Sequence, residues 1–254
     1  MDETADGPRS GPRVIRFATC DSTNAEALRL ATNLERGPVW VLADTQSAGR
    51  GRSGRVWSSE PGNFFASFLT VLPGTPPRAY QISLVTGVAV AQAMLALFPG
   101  AARPDLRLKW PNDILIGRSK LGGILVESTQ VAGGDLAVVI GIGLNLVSHP
   151  HVQSQPACHL AAFGAAPDAN AVLSQLDDQL AHWLAVWSEG EGFASIRQAW
   201  LGLSGPLGER IVVNSGAGPV GGTYQGLDPN GALILADDAG QQRIYSYGDV
   251  TLLG

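Results

Sequence analysis

Four short segments of this chain set charged side chains among glycines or beside a proline, at spacings that suit anion chemistry. The first is Gln46-Ser47-Ala48-Gly49-Arg50-Gly51-Arg52-Ser53-Gly54-Arg55-Val56-Trp57. Its alternating glycines remove side-chain obstruction and let backbone N–H groups approach a phosphate or carboxylate. The interleaved arginines supply fixed charge and forked donors for such oxyanions, and Trp57 offers an aromatic face to a base. The spacing G-x-x-x-x-G-K-[ST] of a phosphate loop is absent. Taken alone, the segment also reads as a flexible basic surface loop.

The second segment, Lys109-Trp110-Pro111-Asn112-Asp113, closes an apolar stretch. Lys109 supplies a cation, Pro111 fixes a turn, and Asp113 could hold Mg2+, which favours carboxylate and phosphate oxygens together. A strand end with a polar turn is the plain alternative. The third, Ser119-Lys120-Leu121-Gly122-Gly123-Ile124-Leu125-Val126-Glu127, puts one lysine before a glycine pair that permits close approach of a ligand or another backbone. A solvated lysine at a hairpin end explains it equally well. The fourth, Gly141-Ile142-Gly143-Leu144-Asn145-Leu146, is an apolar strand with small residues and one amide. There a buried turn satisfied by Asn145 is the simple reading.

The elements that must carry these segments follow from periodicity. Val14 to Phe17 predicts a short strand. Thr23 and Glu26 have capping-box spacing and open a helix that stops before Gly37-Pro38. Strands are expected over Val39–Ala43, Asn63–Leu72, Leu106–Trp110, Ile114–Ile116, Leu121–Ser128 and Leu136–Leu146, with helices over Pro77–Phe98, Ala171–Trp187 and Gly192–Leu201. This order predicts an α+β fold, a mixed, mostly antiparallel sheet backed by helices. Past Leu203-Ser204-Gly205-Pro206 come short strands near Arg210–Asn214, Gly221–Asp228, Ala232–Leu235 and Gln242–Tyr245, which suggest a small SH3-like β-barrel. The expected organisation is a tail over 1–13, a catalytic domain over 14–203 and a C-terminal domain over 204–254.

Composition narrows the function classes. A net charge of −5 argues against a general nucleic-acid binder, so basic groups confined to Arg50–Arg55 and Arg107/Lys109 suit a compact anion such as a nucleotide. The 2 cysteines, Cys20 and Cys158, make neither a disulfide framework nor a thiolate zinc site, which points to a reducing, cytoplasmic setting. The apolar run from Ala79 to Phe98 is interrupted by Gln81, Ser83, Thr86, Gly87 and Gln92, a pattern for a buried helix rather than a membrane span. His149, His151 and His159 lie close together but lack a matching carboxylate or cysteine set for a metal. Cys20, beside Asp21-Ser22, is read as a small buried residue, with the wall of a binding pocket as the alternative.

Together, and with Asp21-Ser22-Thr23-Asn24 at the start of the first helix, the four segments closely resemble the biotin–protein ligases. The resemblance is strongest from about Val14 to Leu146 and extends through the predicted C-terminal barrel. It implies a class II synthetase-like catalytic domain that forms biotinyl-5'-adenylate and pyrophosphate from biotin and ATP. Biotin then passes to a lysine of a biotin carboxyl carrier domain, of acetyl-CoA carboxylase or a related enzyme, and AMP leaves.

By the same resemblance, Ser22, Thr23, Asn24 and Gln46 face the ureido ring of biotin, and Arg50, Gly51 and Arg52 belong to a loop that orders over biotin and adenylate. Lys120 sits near the biotin carboxylate and the α-phosphate. Gly49, Arg52, Arg55, Lys109 and Asn112 serve ATP and the adenylate; Trp57 packs on adenine and Asn145 hydrogen-bonds it. Arg52, Lys109 and Lys120 act as the catalytic cations, with Mg2+ brought by ATP near Asp113 and no tightly bound cofactor. The substrates supply the nucleophiles.

Ser53 stands where many members of the family carry another arginine. The few residues ahead of Asp21 leave no room for the winged-helix domain that some members use to bind DNA, so no nucleic-acid or membrane partner is expected. Monomer and homodimer are equally compatible. The loop Gly49–Trp57 is expected to be mobile until ligand binds. The rival readings are a lipoate–protein ligase or octanoyl transferase, and a non-enzymatic nucleotide- or RNA-binding module.

Overall fold

The computed structural model describes residues 11–74, 78–98, 104–151, 155–164, 166–216 and 218–253. Seven strands form one sheet in the order β1-β2-β3-β7-β6-β5-β4, and five more form a second in the order β11-β10-β9-β8-β12. In the first sheet, β1 (Arg13–Cys20) pairs parallel to β2 (Val39–Gln46). β3 (Phe64–Leu72), β4 (Leu106–Lys109), β5 (Asp113–Ile116), β6 (Ser119–Gln130) and β7 (Leu136–Leu144) complete it through antiparallel pairs. The mixed, mostly antiparallel sheet expected from the sequence is found.

Strand alternation gives the sheet two different faces. On the back, Phe64, Ala66 and Phe68 of β3 join Ile140 and Ile142 of β7 and Ile124 of β6 in the main core. That core is covered by α2 (Ile82–Leu97), α3 (Ala169–Trp187) and α4 (Phe193–Leu203). On the front, α1 (Thr23–Thr32) lays Ala27 and Ala31 on Val39, Val41, Leu69, Ala137 and Val139. Further along the same strands the front-face residues become Ser67, Gly141, Gly143 and Gly123. The apolar half of this face holds the helix, and the small and polar half is left open as a floor.

α2 is apolar all round because the sheet, α3 and α4 enclose it. The helical segment Ala79–Leu97 is long and apolar enough to cross a membrane, but 67% of its apolar window is buried inside the fold, as the sequence suggested for a core helix. It begins with a tight turn at Ala79–Gln81; Pro77, the expected start, lies outside the described residues, as do 1–10 of the expected tail. Arg13 already belongs to β1. At α1 the expected capping box does not form. Ser22 is the N-cap and makes no side-chain cap bond. Thr23, the first helical residue, instead turns its backbone N–H (2.8 Å) and hydroxyl (3.2 Å) to Gln46 Oε1.

The second sheet comprises β8 (Arg210–Asn214), β9 (Pro219–Leu227), β10 (Leu233–Asp237), β11 (Gln242–Tyr245) and β12 (Asp249–Leu252). Neither the last strand nor its place was foreseen. β11 and β12 are the two edges, yet only Ser246-Tyr247-Gly248 joins them. Such a link reaches at most roughly 15 Å, whereas the edges of a flat five-stranded sheet lie roughly 19 Å apart. The sheet must therefore curl. It does not close: among the described residues no ladder joins β11 to β12, and the second unit is an open, curled antiparallel sheet. Carbonyls near that edge are taken by β4 and by the arginine loop instead. Lys109 Nζ donates to Val250 O at 2.9 Å and Arg52 Nη1 to Gly248 O at 3.1 Å.

Candidate active site

A cavity of about 210 Å³ opens on the front of the large sheet, beside α1 and beneath the arginine loop. Its floor follows from strand register. Ser67, Gly141 and Leu125 stand in one row across β3, β7 and β6. Phe65, Gly143, Gly123, Asp113 and Lys109 stand in the next row of the same face, across β3, β7, β6, β5 and β4. Neither central glycine of β7 could carry a side chain. A Cβ on Gly141 would lie 2.2 Å from Asn24 Oδ1, and one on Gly143 would lie 2.6 Å from the Trp57 ring.

At one end the wall is polar. Ser22, Thr23, Asn24 and Gln46 line it, the first three from the start of α1 and Gln46 from the end of β2. Ser67, which the sequence reading missed, is fully buried behind them and contacts Thr23 Oγ1 at 2.8 Å and Asn24 Oδ1 at 2.6 Å. Gln46 Nε2 donates to Ser59 Oγ at 2.9 Å. Buried amides and hydroxyls fixed in this way can recognise a compact polar head that both donates and accepts.

The other end is cationic. Arg50, Gly51, Arg52, Arg55 and Lys120 line it, together with Trp57 and Asn112. Lys120 lies inside β6, beside a register shift in its pairing with β5, rather than ahead of the strand as its sequence suggested. Its Nζ is 5.5 Å from the centroid of the Trp57 ring, within cation–π range. Trp57 Nε1 is buried and, among the described residues, has no hydrogen-bond partner. Leaving such a donor unpaired costs about 1–3 kcal/mol, which an acceptor on a bound molecule would recover.

Asn145 also lines the cavity, with its Nδ2 committed to Cys158 O at 3.0 Å and a longer contact to Lys120 O at 3.5 Å. Among the described residues no hydrogen bond uses its Oδ1, which leaves that atom to accept.

Three expected site residues do not reach the cavity wall. Gly49 lies behind the loop, where its carbonyl accepts from Trp57 N at 2.9 Å. Lys109 and Asp113 form a buried group with Lys120: Asp113 Oδ2 meets Lys109 Nζ at 2.7 Å and Asp113 Oδ1 meets Lys120 Nζ at 2.6 Å. Burial opposes ionisation of Asp113, but the charges of Lys120 and Lys109 overcome it and hold its carboxyl below the ordinary value of 3.8. With both oxygens already against ammonium groups, Asp113 does not fit the expected Mg2+ ligand, because a divalent cation would be repelled by both lysines. Among the described residues no group of three or more His, Cys, Asp or Glu could hold a metal ion.

The arginine loop is folded over the cavity and tied down. Arg50 bonds Glu127 at 3.0 Å, while Arg52 (3.3 Å) and Arg55 (3.0 Å) share Asp249 of β12. Neither Glu127 nor Asp249 was singled out, although Glu127 alternates with Leu125 and Gly123 and so must share their face. His149 and His159 stack as a pair with Nδ1 atoms 2.7 Å apart, and neither lines the cavity; His151 is exposed. Cys20 is buried away from the cavity wall, and burial pushes its thiol up to about 11.

Residues 16–145 match the biotin/lipoate A/B protein ligase family, a description that leaves the acid open. Residues 207–253 match the biotin protein ligase C-terminal domain, which narrows it. The chain belongs to the biotin protein ligase family. It is 41% identical to a biotin–[acetyl-CoA-carboxylase] ligase of Paracoccus denitrificans, over 90% of this chain and 96% of that protein. It is 34% identical to the bifunctional ligase/repressor BirA of Escherichia coli K12, over 91% of this chain and 72% of that one. The structure of the Aquifex aeolicus biotin protein ligase in complex with biotin and ATP superposes with a TM-score of 0.77 at 26% identity, covering 95% of this chain and 99% of that one. Both sheets of this biotin protein ligase family member thus lie within the matched region.

Proposed function

We propose that the protein joins biotin to ATP, forming biotinyl-5'-adenylate and pyrophosphate, and then passes the biotinyl group to a lysine amine of a biotin carboxyl carrier domain, releasing AMP. One observation carries the reading: a single cavity has a buried polar head site at one end and converging arginine and lysine charges at the other. Biotin has that polarity, a ureido ring joined by an apolar chain to a carboxylate. The family match supplies the reaction.

In this reading Ser22, Thr23 and Gln46 hold the ureido ring, with Asn24 bracing them, since its amide group is already bonded to the sheet. The biotin carboxylate and the α-phosphate of ATP repel each other as they meet. Arg52 and Lys120 offset that repulsion and the charge that builds as the carboxylate oxygen attacks phosphorus and pyrophosphate departs. Arg55 addresses the outer phosphates, Trp57 packs on adenine, and Asn112 holds Arg52 through a 3.3 Å contact.

Lys109 is assigned a different part from the direct one expected: it fixes Asp113, which in turn aims Lys120. No step is assigned to a metal at Asp113. In the second half-reaction the carrier amine attacks the acyl carbon, the bond to AMP breaks, and the amine loses a proton. Roofing the cavity with the arginine loop protects the mixed anhydride from water until then.

We place the division between the two units near residue 203, the protein in the cytoplasm, and its target among biotin-dependent carboxylases. The test is labelling of an isolated carrier domain with biotin and ATP, followed by avidin blotting, with lipoate as the competing acid. Labelling that needs both biotin and ATP is expected. Transfer of lipoate alone would move the protein to the neighbouring branch of the family.

A further inference from the structure

Glu127 does not line the cavity, yet one of its oxygens joins both walls. Its Oε2 accepts from Asn24 Nδ2 at 2.8 Å and from Arg50 Nη2 at 3.0 Å. Asn24 belongs to the head-group end and Arg50 to the loop that roofs the cavity. From Asn24 the contacts run on without a gap: Asn24 Oδ1 to Ser67 Oγ at 2.6 Å, Ser67 Oγ to Thr23 Oγ1 at 2.8 Å, and Thr23 to Gln46 Oε1. The second amide proton of Asn24 goes to Leu125 O at 3.2 Å. The Asn24 amide is therefore held on both sides, and its orientation is set by Glu127 and Leu125, two alternate residues of β6.

We propose that Glu127 is a positioning residue that couples the arginine loop to the head-group pocket, so that a closed loop and a correctly set Asn24 stabilise each other. The inference rests on the biotin-ligase reading for the identity of the head group. Its physical basis is local. A carboxylate that accepts from a guanidinium and an amide at one oxygen loses more than either bond when it is removed. Asn24 is left with an unpaired donor and free to turn over, and Arg50 is left without its anchor. Arg50 ties the loop to β6 beside the head pocket, whereas Arg52 and Arg55 are tied farther off, to Asp249 in the second sheet and, for Arg52, to Asn112 at the β4–β5 turn.

The experiment is calorimetric titration of biotin into the full chain, as wild type, Glu127→Ala, Arg50→Ala and the double variant. Arg50→Ala, which leaves the Asn24 bond in place, should weaken biotin binding about tenfold, the scale of one charge-assisted hydrogen bond, and Glu127→Ala, which removes both bonds, should weaken it more. The double variant should be no weaker than the weaker single, because both remove one coupling. Glu127→Ala binding like wild type, or two losses that multiply in the double variant, would overturn the coupling. If Glu127→Ala does not fold, Glu127→Met serves, since it keeps the length of the side chain and removes the accepting oxygens. In that background Arg50→Ala should weaken biotin by no more than about twofold, and a full tenfold loss contradicts the proposal. A folded wild type that binds no biotin overturns the functional reading, and the coupling with it. Wild-type binding with no effect of the variants overturns the coupling alone.

Discussion

At the scale of single residues, the charges at the cationic end depend on one buried carboxylate. Removing Asp113 leaves Lys109 and Lys120 facing each other with side chains 11% and 24% exposed. Asp113→Asn should cost about 3 kcal/mol, within the range for breaking a buried ion pair, and should slow adenylation by misplacing Lys120. The pH dependence has a definite sign. The folded carboxyl lies below 3.8, so its contribution is complete above that value and is lost as pH falls through the depressed one. Urea unfolding of wild type and variant should differ by a constant amount near neutrality and converge below about pH 4. A difference that grows on acidification contradicts the assignment. Arg52 lies over the cavity and is held by Asn112 and Asp249. Arg52→Ala should let the adenylate escape and label bystander proteins; labelling still confined to the carrier contradicts a retaining role.

At the scale of elements, the rows of the sheet do the positioning. Gly-Ile-Gly in β7 was legible as a strand with small residues, but why they are small becomes clear only when α1 and the loop are in place. Gly141 makes room for Asn24, and Gly143 makes room for Trp57. Gly143→Ala should displace Trp57 and raise the KM for ATP about tenfold, with the KM for biotin changed by less than twofold, on the scale of a small steric misplacement. Steady-state kinetics decide it, and equal rises in both constants would contradict the link to Trp57.

The strands, helices and charged segments were readable because periodicity and glycine spacing are local properties. The pairings Arg50–Glu127, Arg52–Asp249 and Lys109–Asp113–Lys120 were not all equally hidden. Lys109 and Asp113 are neighbours in sequence, whereas Asp249 sits on a four-residue strand whose pattern is too short to stand out. The capping-box spacing of Thr23 and Glu26 does not produce the cap because Gln46 and Ser67, distant in sequence, take up the Thr23 hydroxyl.

At the scale of the molecule, the two sheets share one hydrophobic core. Ile211, Val213, Leu227, Leu233 and Leu235 of the second sheet belong to the same buried cluster as Trp110, Phe193 and Trp200, and Trp110 Nε1 donates to Gly231 O at 3.1 Å. A composition shift near Ser204 suggests a separable C-terminal unit, but a sequence pattern cannot show that its inner face meets Leu108, Trp110 and Trp200 of the larger unit. Calorimetry of the whole chain should therefore give one cooperative unfolding transition. Two resolved transitions, or a folded and active chain lacking 206–254, would contradict a shared core. The second sheet also provides Asp249 and the Val250 carbonyl to the cationic end, so the site is complete only when both sheets are in contact.

The central claim, that one cavity brings the carboxylate of biotin to the α-phosphate of ATP, is tested most directly by pyrophosphate–ATP exchange in the absence of any carrier. Exchange that appears with biotin and Mg2+, and is absent with lipoate or without acid, is the predicted result. No biotin-dependent exchange from folded protein would contradict the account.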